Sequence, residues 1–176
     1  TMGSNDGLPA ERPEHVVTLD AYVIDRYEVS LQLYRKFLQA ARYDAPPTWD
    51  DEAAETVGDR PAVGMSWEDA AAYCAWAGKR LPTEAEWEKA ARGASDTRAY
   101  PWGDQDADCS LANYNQSPPM CIGDTSQVGS YQSGASPYGA LDMAGNVYEW
   151  TNDWYDTYYY SSSPYSNPQG PDTGIS

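Results

Sequence analysis

Apolar residues recur with helical period in the first half of the chain. Leu31, Tyr34, Phe37, Leu38 and Ala41 fall on one face of a predicted helix, and Ser30 stands where its N-cap belongs. Ser66 with Asp69 opens a second helix that ends near Gly78. Gly78 can take the left-handed conformation that closes a helix, and Pro82 keeps Leu81 extended. Thr83 with Glu86 forms a capping box for a third helix, from about Glu84 to Arg92, with Gly93 as its stop. Glu84, Glu86 and Glu88 put negative charge in its first turns, where the helix dipole favours it. His15 to Val23 holds Val16, Val17, Leu19, Tyr22 and Val23 and predicts one strand or two short ones, which Ile24 to Val29 continues. Arg42 to Arg60 is polar, broken by Pro46-Pro47, and reads as a loop. Beyond Ala94 helix signals vanish, and short β runs at Val128–Tyr131 and Val147–Thr151 stand among long loops. Early helices followed by a loop-rich β half make an α+β pattern.

A chain of 176 residues suits one domain with a single core. Its formal charge is −16, from 11 Lys+Arg against 27 Asp+Glu. Such a surface repels nucleic acid and anionic membranes, and no apolar run is long enough to insert into a bilayer. The acidic side chains serve solubility for the most part, but surface carboxylates also suit divalent cations. There are 15 Tyr and 7 Trp against 1 Phe, a balance that fits half-buried rings or a surface for sugars or protein. The single histidine, His15, excludes a His-rich zinc or iron site within the chain and reads as a strand-edge residue.

Several blocks follow one another in a distinctive order. Arg60-Pro61-Ala62-Val63-Gly64-Met65-Ser66-Trp67 precedes Ala72-Tyr73-Cys74-Ala75-Trp76-Ala77-Gly78-Lys79-Arg80-Leu81-Pro82-Thr83. Tyr100-Pro101-Trp102-Gly103-Asp104, Ala112-Asn113-Tyr114 and Val128-Gly129-Ser130-Tyr131 come next. Last is Tyr138-Gly139-Ala140-Leu141-Asp142-Met143-Ala144-Gly145-Asn146-Val147-Tyr148-Glu149-Trp150. This order resembles the formylglycine-generating, sulfatase-modifying-factor family over nearly the whole chain. The resemblance implies one domain over residues 1–176 with a loop-rich, C-type-lectin-like α+β fold of two to three helices and short antiparallel strands. It also implies a domain clipped at both ends, because Met2-Gly3-Ser4 resembles the end of the family's first strand. The family's reactive cysteine pair follows an Arg-Gly-Gly-Ser-like strand, and this chain stops at Gly174-Ile175-Ser176, about where that strand is expected.

The three cysteines are Cys74, Cys109 and Cys121. Cys109 and Cys121 bracket a short Asn/Pro-rich loop, and a bridge between them would stabilise by roughly 3 kcal/mol. A bridge implies an oxidising location: extracellular, periplasmic or in the cell envelope. Two reduced thiols in a cytosolic protein is the other reading. Their position before the Gly145-Asn146 block, by the resemblance, separates them from the family's reactive pair. Cys74 shares a helix face with Ala70, Ala71 and Ala77, so it is expected to be free and buried.

The resemblance implies calcium held by the side chains of Asp142 and Glu149 and the carbonyls of Gly145 and Val147. An ordinary turn in which Asn146 bonds its own backbone is the alternative from spacing alone. A second calcium set implied by the resemblance is Asn113, the Tyr114 carbonyl and Asp124. The Tyr/Ser-rich tail offers Tyr155, Tyr158, Tyr159 and Tyr160 as a recognition surface, or an ordinary surface loop; Trp154 is expected to pack beside Trp150. Three functions follow from different classes. The chain is a non-catalytic module that binds a protein or glycan. It is a subunit that self-assembles by strand exchange. Or it is part of an oxidoreductase that converts a substrate cysteine to formylglycine, with copper only if further sequence supplies the thiol pair. No residue of the chain itself is given a catalytic role.

Overall fold

A computed structural model describes residues 1–94, 98–114 and 121–174. Among the described residues four α-helices form: α1 (Leu31–Ala41), α2 (Asp51–Thr56), α3 (Trp67–Trp76) and α4 (Glu84–Arg92). Three of them follow the expected capping. Ser30 accepts from the Leu33 N–H, Ser66 and Asp69 cap reciprocally, and Thr83 and Glu86 do the same. Gly78 is left-handed at φ +71, and Gly93 at φ +92 stops α4.

The segment Arg42 to Arg60 is not all loop, because α2 lies within it. Asp50 caps α2 through the Glu52 and Ala53 N–H groups, and Ala54 is its buried contact. Arg35 of α1 pairs with Asp51 and Glu55, fastening the short helix to the long one.

The described residues make only isolated β-bridges: Met2 with His15, Thr18 with Ser166, Ser30 with Pro61, and Tyr100 with Gly103; of the expected strands only His15 and Thr18, in the first, take part, besides Ser30, which follows that segment as the cap of α1. The physical reason is partner supply. Val128 and Gly129 lie in a turn and donate to the Asp59 carbonyl and the Asp142 carboxylate, and Val147–Thr151 runs from a bend into irregular chain whose Thr151 carbonyl accepts the Trp67 indole, so no ladder propagates. The α+β expectation is therefore met on its helical side and only in part on its β side.

Burial is divided among three clusters. Tyr34, Phe37, Leu38 and Tyr73 pack α1 on α3, with Tyr34 and Tyr73 stacked at 5.8 Å and Phe37 edge-on to Tyr73 at 5.8 Å. Tyr34 and Phe37 are each 2% exposed, and burying a ring to that extent stabilises by about 2–3 kcal/mol. On α4, Ala90 and Ala91 meet Ala140 and Met143. Ala85 on the same helix meets Met2 and Tyr160. α4 thus serves two clusters, with small side chains that admit close approach.

Side-chain bonds tie the clusters together. Asp153 accepts the Glu84 N–H at 2.8 Å, Trp67 Nε1 donates to the Thr151 carbonyl at 2.8 Å, and Trp150 Nε1 donates to the Met65 carbonyl at 2.9 Å. Asn146 Nδ2 donates to Glu28 and to the Ser126 carbonyl, its Oδ1 accepts from the Ser126 N–H and Asn113 Nδ2, and its own N–H donates to the Asn113 carbonyl. The turn reading in which Asn146 bonds its own backbone is thereby replaced by a bond set that spans four segments. Gly145 beside it has φ +90, and a Cβ there would collide with the Asn113 carbonyl oxygen.

Three outcomes follow from this construction. Asn146→Ala strands several buried partners at once and should cost about 3 kcal/mol or more in urea unfolding. Glu86 receives both guanidinium nitrogens of Arg80 at 2.7 Å and the Thr83 N–H at 2.9 Å, and the Arg80 bond first of all holds its carboxyl below the usual range. Its contribution is therefore present above the ordinary carboxylate range and lost as pH falls through the folded value. Glu86→Gln should cost about 2 kcal/mol at neutral pH and flatten the acid limb of unfolding midpoints measured against pH. Reducing the Cys109–Cys121 bridge, which closes a sequence separation of 12, should cost about 3 kcal/mol in the same assay.

Candidate functional site

The turn from Asp142 to Glu149 contains three left-handed residues, Asp142 at φ +58, Gly145 at φ +90 and Asn146 at φ +59. The chain doubles back there and brings its two carboxylates to one region. Asp142 is 7% exposed, and its Oδ2 accepts the Gly129 N–H. Glu149 Oε2 accepts Trp87 Nε1–H of α4 at 2.7 Å. Sequence reasoning missed a third member, Glu28, which enters from the segment before α1. Glu28 Oε1 accepts from Asn146 Nδ2 at 3.0 Å, and Oε2 is buried without a hydrogen-bond partner.

Three carboxyl groups share this region, and no basic side chain forms an ion pair with any of them among the described residues. Burial first, then the nearby charge of Asp142, push the Glu28 carboxyl up to about 9. The Asn146 bond pulls it back and the Glu149 charge adds to the rise. Glu149 reaches solvent as a residue, yet protein atoms crowd its carboxyl. That crowding pushes it up to about 7, with Trp87 opposing and Asp142 assisting. The region is short of positive charge, and either a proton on Glu28 or a bound cation would relieve it.

Among the described residues, no three His, Cys, Asp or Glu side chains converge to hold a metal. A cation here would therefore rest on the two carboxylates of the turn and on carbonyl oxygens, and the Gly145 and Val147 carbonyls accept no main-chain hydrogen bond among the described residues. That mixture is the oxygen set calcium takes. These residues fit the ion.

The second set is placed differently. Asn113 is buried and donates to the Asp124 carbonyl at 2.7 Å, and the Tyr114 hydroxyl donates to the Ala107 carbonyl at 2.7 Å. The Asp124 carboxylate accepts the Thr125 N–H and pairs with Arg60, and both hold it below the usual range. Arg60 already supplies positive charge to Asp124, while Asn113 Oδ1 and the Tyr114 carbonyl accept no hydrogen bond among the described residues.

Cys109 and Cys121 are joined by a disulfide. Cys74 is free as expected, but half-buried rather than fully buried. Burial chiefly, and the Asp25 charge, push its thiol up against an opposing pull from Lys79. The four tyrosines of the tail separate. Tyr155 and Tyr158 are exposed, Tyr159 is half-buried, and Tyr160 is a core residue against Met2 and Ala85. The Tyr160 ring is therefore closed to a ligand. Trp154 is half-exposed instead of packed in a core with Trp150, which itself spends its indole N–H on Met65.

The Sulfatase-modifying factor enzyme 1-like domain model matches residues 1–173. Bovine formylglycine-generating enzyme is 33% identical over 226 aligned positions, covering 99% of this chain and 60% of that protein. The serine/threonine-protein kinase pkn1 of Chlamydia caviae is 36% identical over 191 positions, covering 98% of this chain and 29% of the kinase. Among solved structures, PvdO from Pseudomonas aeruginosa superposes with a TM-score of 0.70 at 27% identity, over 99% of this chain and 73% of PvdO. The chain thus spans from under a third to about three fifths of the length of these sequence relatives. With a matching family model over almost all of its residues and a neighbour of the same fold, the chain belongs to the sulfatase-modifying-factor family.

Proposed function

We propose that this chain acts as a non-catalytic binding or assembly module of its family, stabilised by calcium at the Asp142–Glu149 turn. The arrangement of the cysteines carries the non-catalytic part. Two of the three are spent in a disulfide, and Cys74 is half-buried with its thiol pushed up and no free thiol left in the chain to pair with it. Cu(I) chemistry calls for paired thiolates, and this chain offers none.

Calcium would be held by the side chains of Asp142 and Glu149 with the carbonyls of Gly145 and Val147. Its chemistry there is neutralisation of clustered carboxylates and clamping of a turn that no sheet supports. Trp87 orients Glu149, the Gly129 N–H orients Asp142, and Asn146 holds Glu28 against the turn. The C-type-lectin-like arrangement belongs to the same reading: loops carry the surface, and Tyr155 and Tyr158 are the exposed rings that suit a protein or glycan partner. The disulfide supports an extracellular, periplasmic or cell-envelope location. No helix among the described residues is long and apolar enough to cross a membrane.

The alternative is that the chain forms part of a formylglycine-generating oxidoreductase. Its support is the match to the bovine enzyme over 99% of this chain.

Two measurements test the reading. Chelation should lower the melting temperature by several degrees, calcium should restore it, and Glu149→Gln should abolish the response. An unchanged melting temperature, with no calcium in the isolated protein by elemental analysis, removes calcium from the reading. Incubation with a cysteine-containing peptide, Cu(I) and oxygen should leave the peptide mass unaltered; conversion of its cysteine to an aldehyde would give the chain to the oxidoreductase.

A further inference from the structure

Two arms of chain leave the Cys109–Cys121 bridge, and both end on the turn that carries the candidate cation set. The arm after Cys109 passes through Leu111, Ala112 and Asn113, all buried. The Leu111 and Ala112 N–H groups return to the Asp108 carbonyl at 3.0 and 3.2 Å, so this arm curls before it reaches Asn113. The Asn113 carbonyl then accepts the Asn146 N–H at 2.7 Å, and the left-handed Gly145 lies against the same carbonyl. The arm after Cys121 passes through Asp124 to Ser126 and Gly129. Ser126 donates its N–H to Asn146 Oδ1 at 2.8 Å, and its carbonyl accepts from Asn146 Nδ2 at 3.3 Å. Gly129 donates its N–H to Asp142 Oδ2.

The two arms are fastened unequally. Arg60 pairs with the Asp124 carboxylate, and the Val128 N–H donates to the Asp59 carbonyl at 2.9 Å, so the second arm is tied to the segment after α2. Asn113 Nδ2 donates to the Asp124 carbonyl at 2.7 Å, which ties the first arm to the second. The disulfide is the covalent part of that tie. Glu149 is held from elsewhere, by Trp87 of α4. The proposed ligands therefore fall into two groups: Asp142 and Gly145 rest on the bridged arms, and Glu149 rests on a helix. Cys109 is exposed and Cys121 half-buried, so a thiol in solution can approach the bridge.

We propose that the Cys109–Cys121 bridge is a redox latch on the Asp142–Glu149 turn. Closed, it holds Asp142 and Gly145 where they can share a cation with Glu149; opened by a dithiol, it lets them drift from Glu149 and lowers cation affinity. Opening is ordinary thiol–disulfide exchange. A thiolate of the dithiol bonds to one sulfur of the bridge, and the other sulfur leaves as a thiolate and takes a proton. The second thiol of the dithiol then displaces the remaining cysteine. The bridge gains two electrons and becomes two thiols, and the dithiol becomes its own disulfide. Linkage makes the coupling reciprocal: the factor by which opening weakens the cation is the factor by which the cation resists opening. The proposal names the regulation of the calcium site and rests on the calcium reading for the ion alone.

The test uses the whole chain, calcium as ligand and dithiothreitol as dithiol, below the melting temperature of the reduced protein. Calcium binding by calorimetry should be about tenfold weaker after reduction, and calcium should shift the dithiol equilibrium toward the bridged form by the same factor. Reduction should also speed amide exchange at Gly129 and Asn146 more than at Phe37 and Leu38 of α1, with or without calcium. Cys109→Ser with Cys121→Ser should reproduce the reduced protein without dithiol; if that variant does not fold, reduction of the natural chain carries the test. Equal calcium affinity in the two states overturns the proposal. So does exchange that rises equally in α1 and in the turn, because the bridge then stabilises the fold as a whole. If neither state binds calcium while exchange rises selectively at Gly129 and Asn146, the calcium reading falls and the latch on the shape of the turn is supported.

Discussion

The side chain of Asn146 joins segments that no sheet connects. Its amide reaches Glu28 ahead of α1, Ser126 and Asn113 in separate loops, and its own N–H completes the link to Asn113. A left-handed backbone at φ +59 aims the side chain inward, and asparagine tolerates that conformation better than most residues. Glycine before it lets the turn lie against the Asn113 carbonyl. Remove this junction and the carboxylates of the turn lose their fixed positions, the loop after the disulfide loses its anchor, and the segment leading into α1 loses its contact with the rest. Where a sheet would distribute such work over many equivalent bonds, this fold concentrates it in a few side chains.

The helices were legible because their determinants are local. Ser30, Ser66 and Thr83 sit one residue ahead of their helices, and each cap bond spans three residues of sequence. α2 escaped notice because its six residues carry too little apolar periodicity to stand out from a polar loop, although Asp50 stood in the capping position. The strand readings failed for a different reason. Alternation at Val16–Val23 reports a half-buried extended chain, but pairing needs a neighbour, and pattern alone does not report whether one exists. Within the site, Asp142, Gly145, Val147 and Glu149 were found through family resemblance, while Glu28 was not. Its signal was a lone carboxylate in the apolar run Tyr27-Glu28-Val29, a place where a charge must have a purpose or a partner. Burial divided Tyr155 and Tyr158 from Tyr160 in a way that composition could not.

Clamps and surface are therefore two sides of one arrangement. Loops expose rings and main-chain groups that a sheet would have consumed, and that exposure is what a binding module uses. The same loops need fastening, which the disulfide, the Arg80–Glu86 pair and the indole donors Trp67, Trp87 and Trp150 provide. Trp67, Trp87 and Trp150 each send the indole N–H to a distant segment, whereas Trp49 and Trp102 bond residues two and three further along the chain.

Division of the interior into three small clusters bears on how such a domain changes over evolutionary time. A sheet demands that every strand keep its length and register, so an insertion within it is felt by all its neighbours. Here the segments between anchors carry little shared geometry. They can grow or shrink while Asn146, the helix caps and α4 stay in place. The alignment with the bovine protein extends over 226 positions, against 176 residues in this chain, so the relative accommodates many extra residues within a common frame. Point anchoring makes the domain a scaffold on which new surfaces arise by lengthening loops, with little disturbance to the interior that supports them.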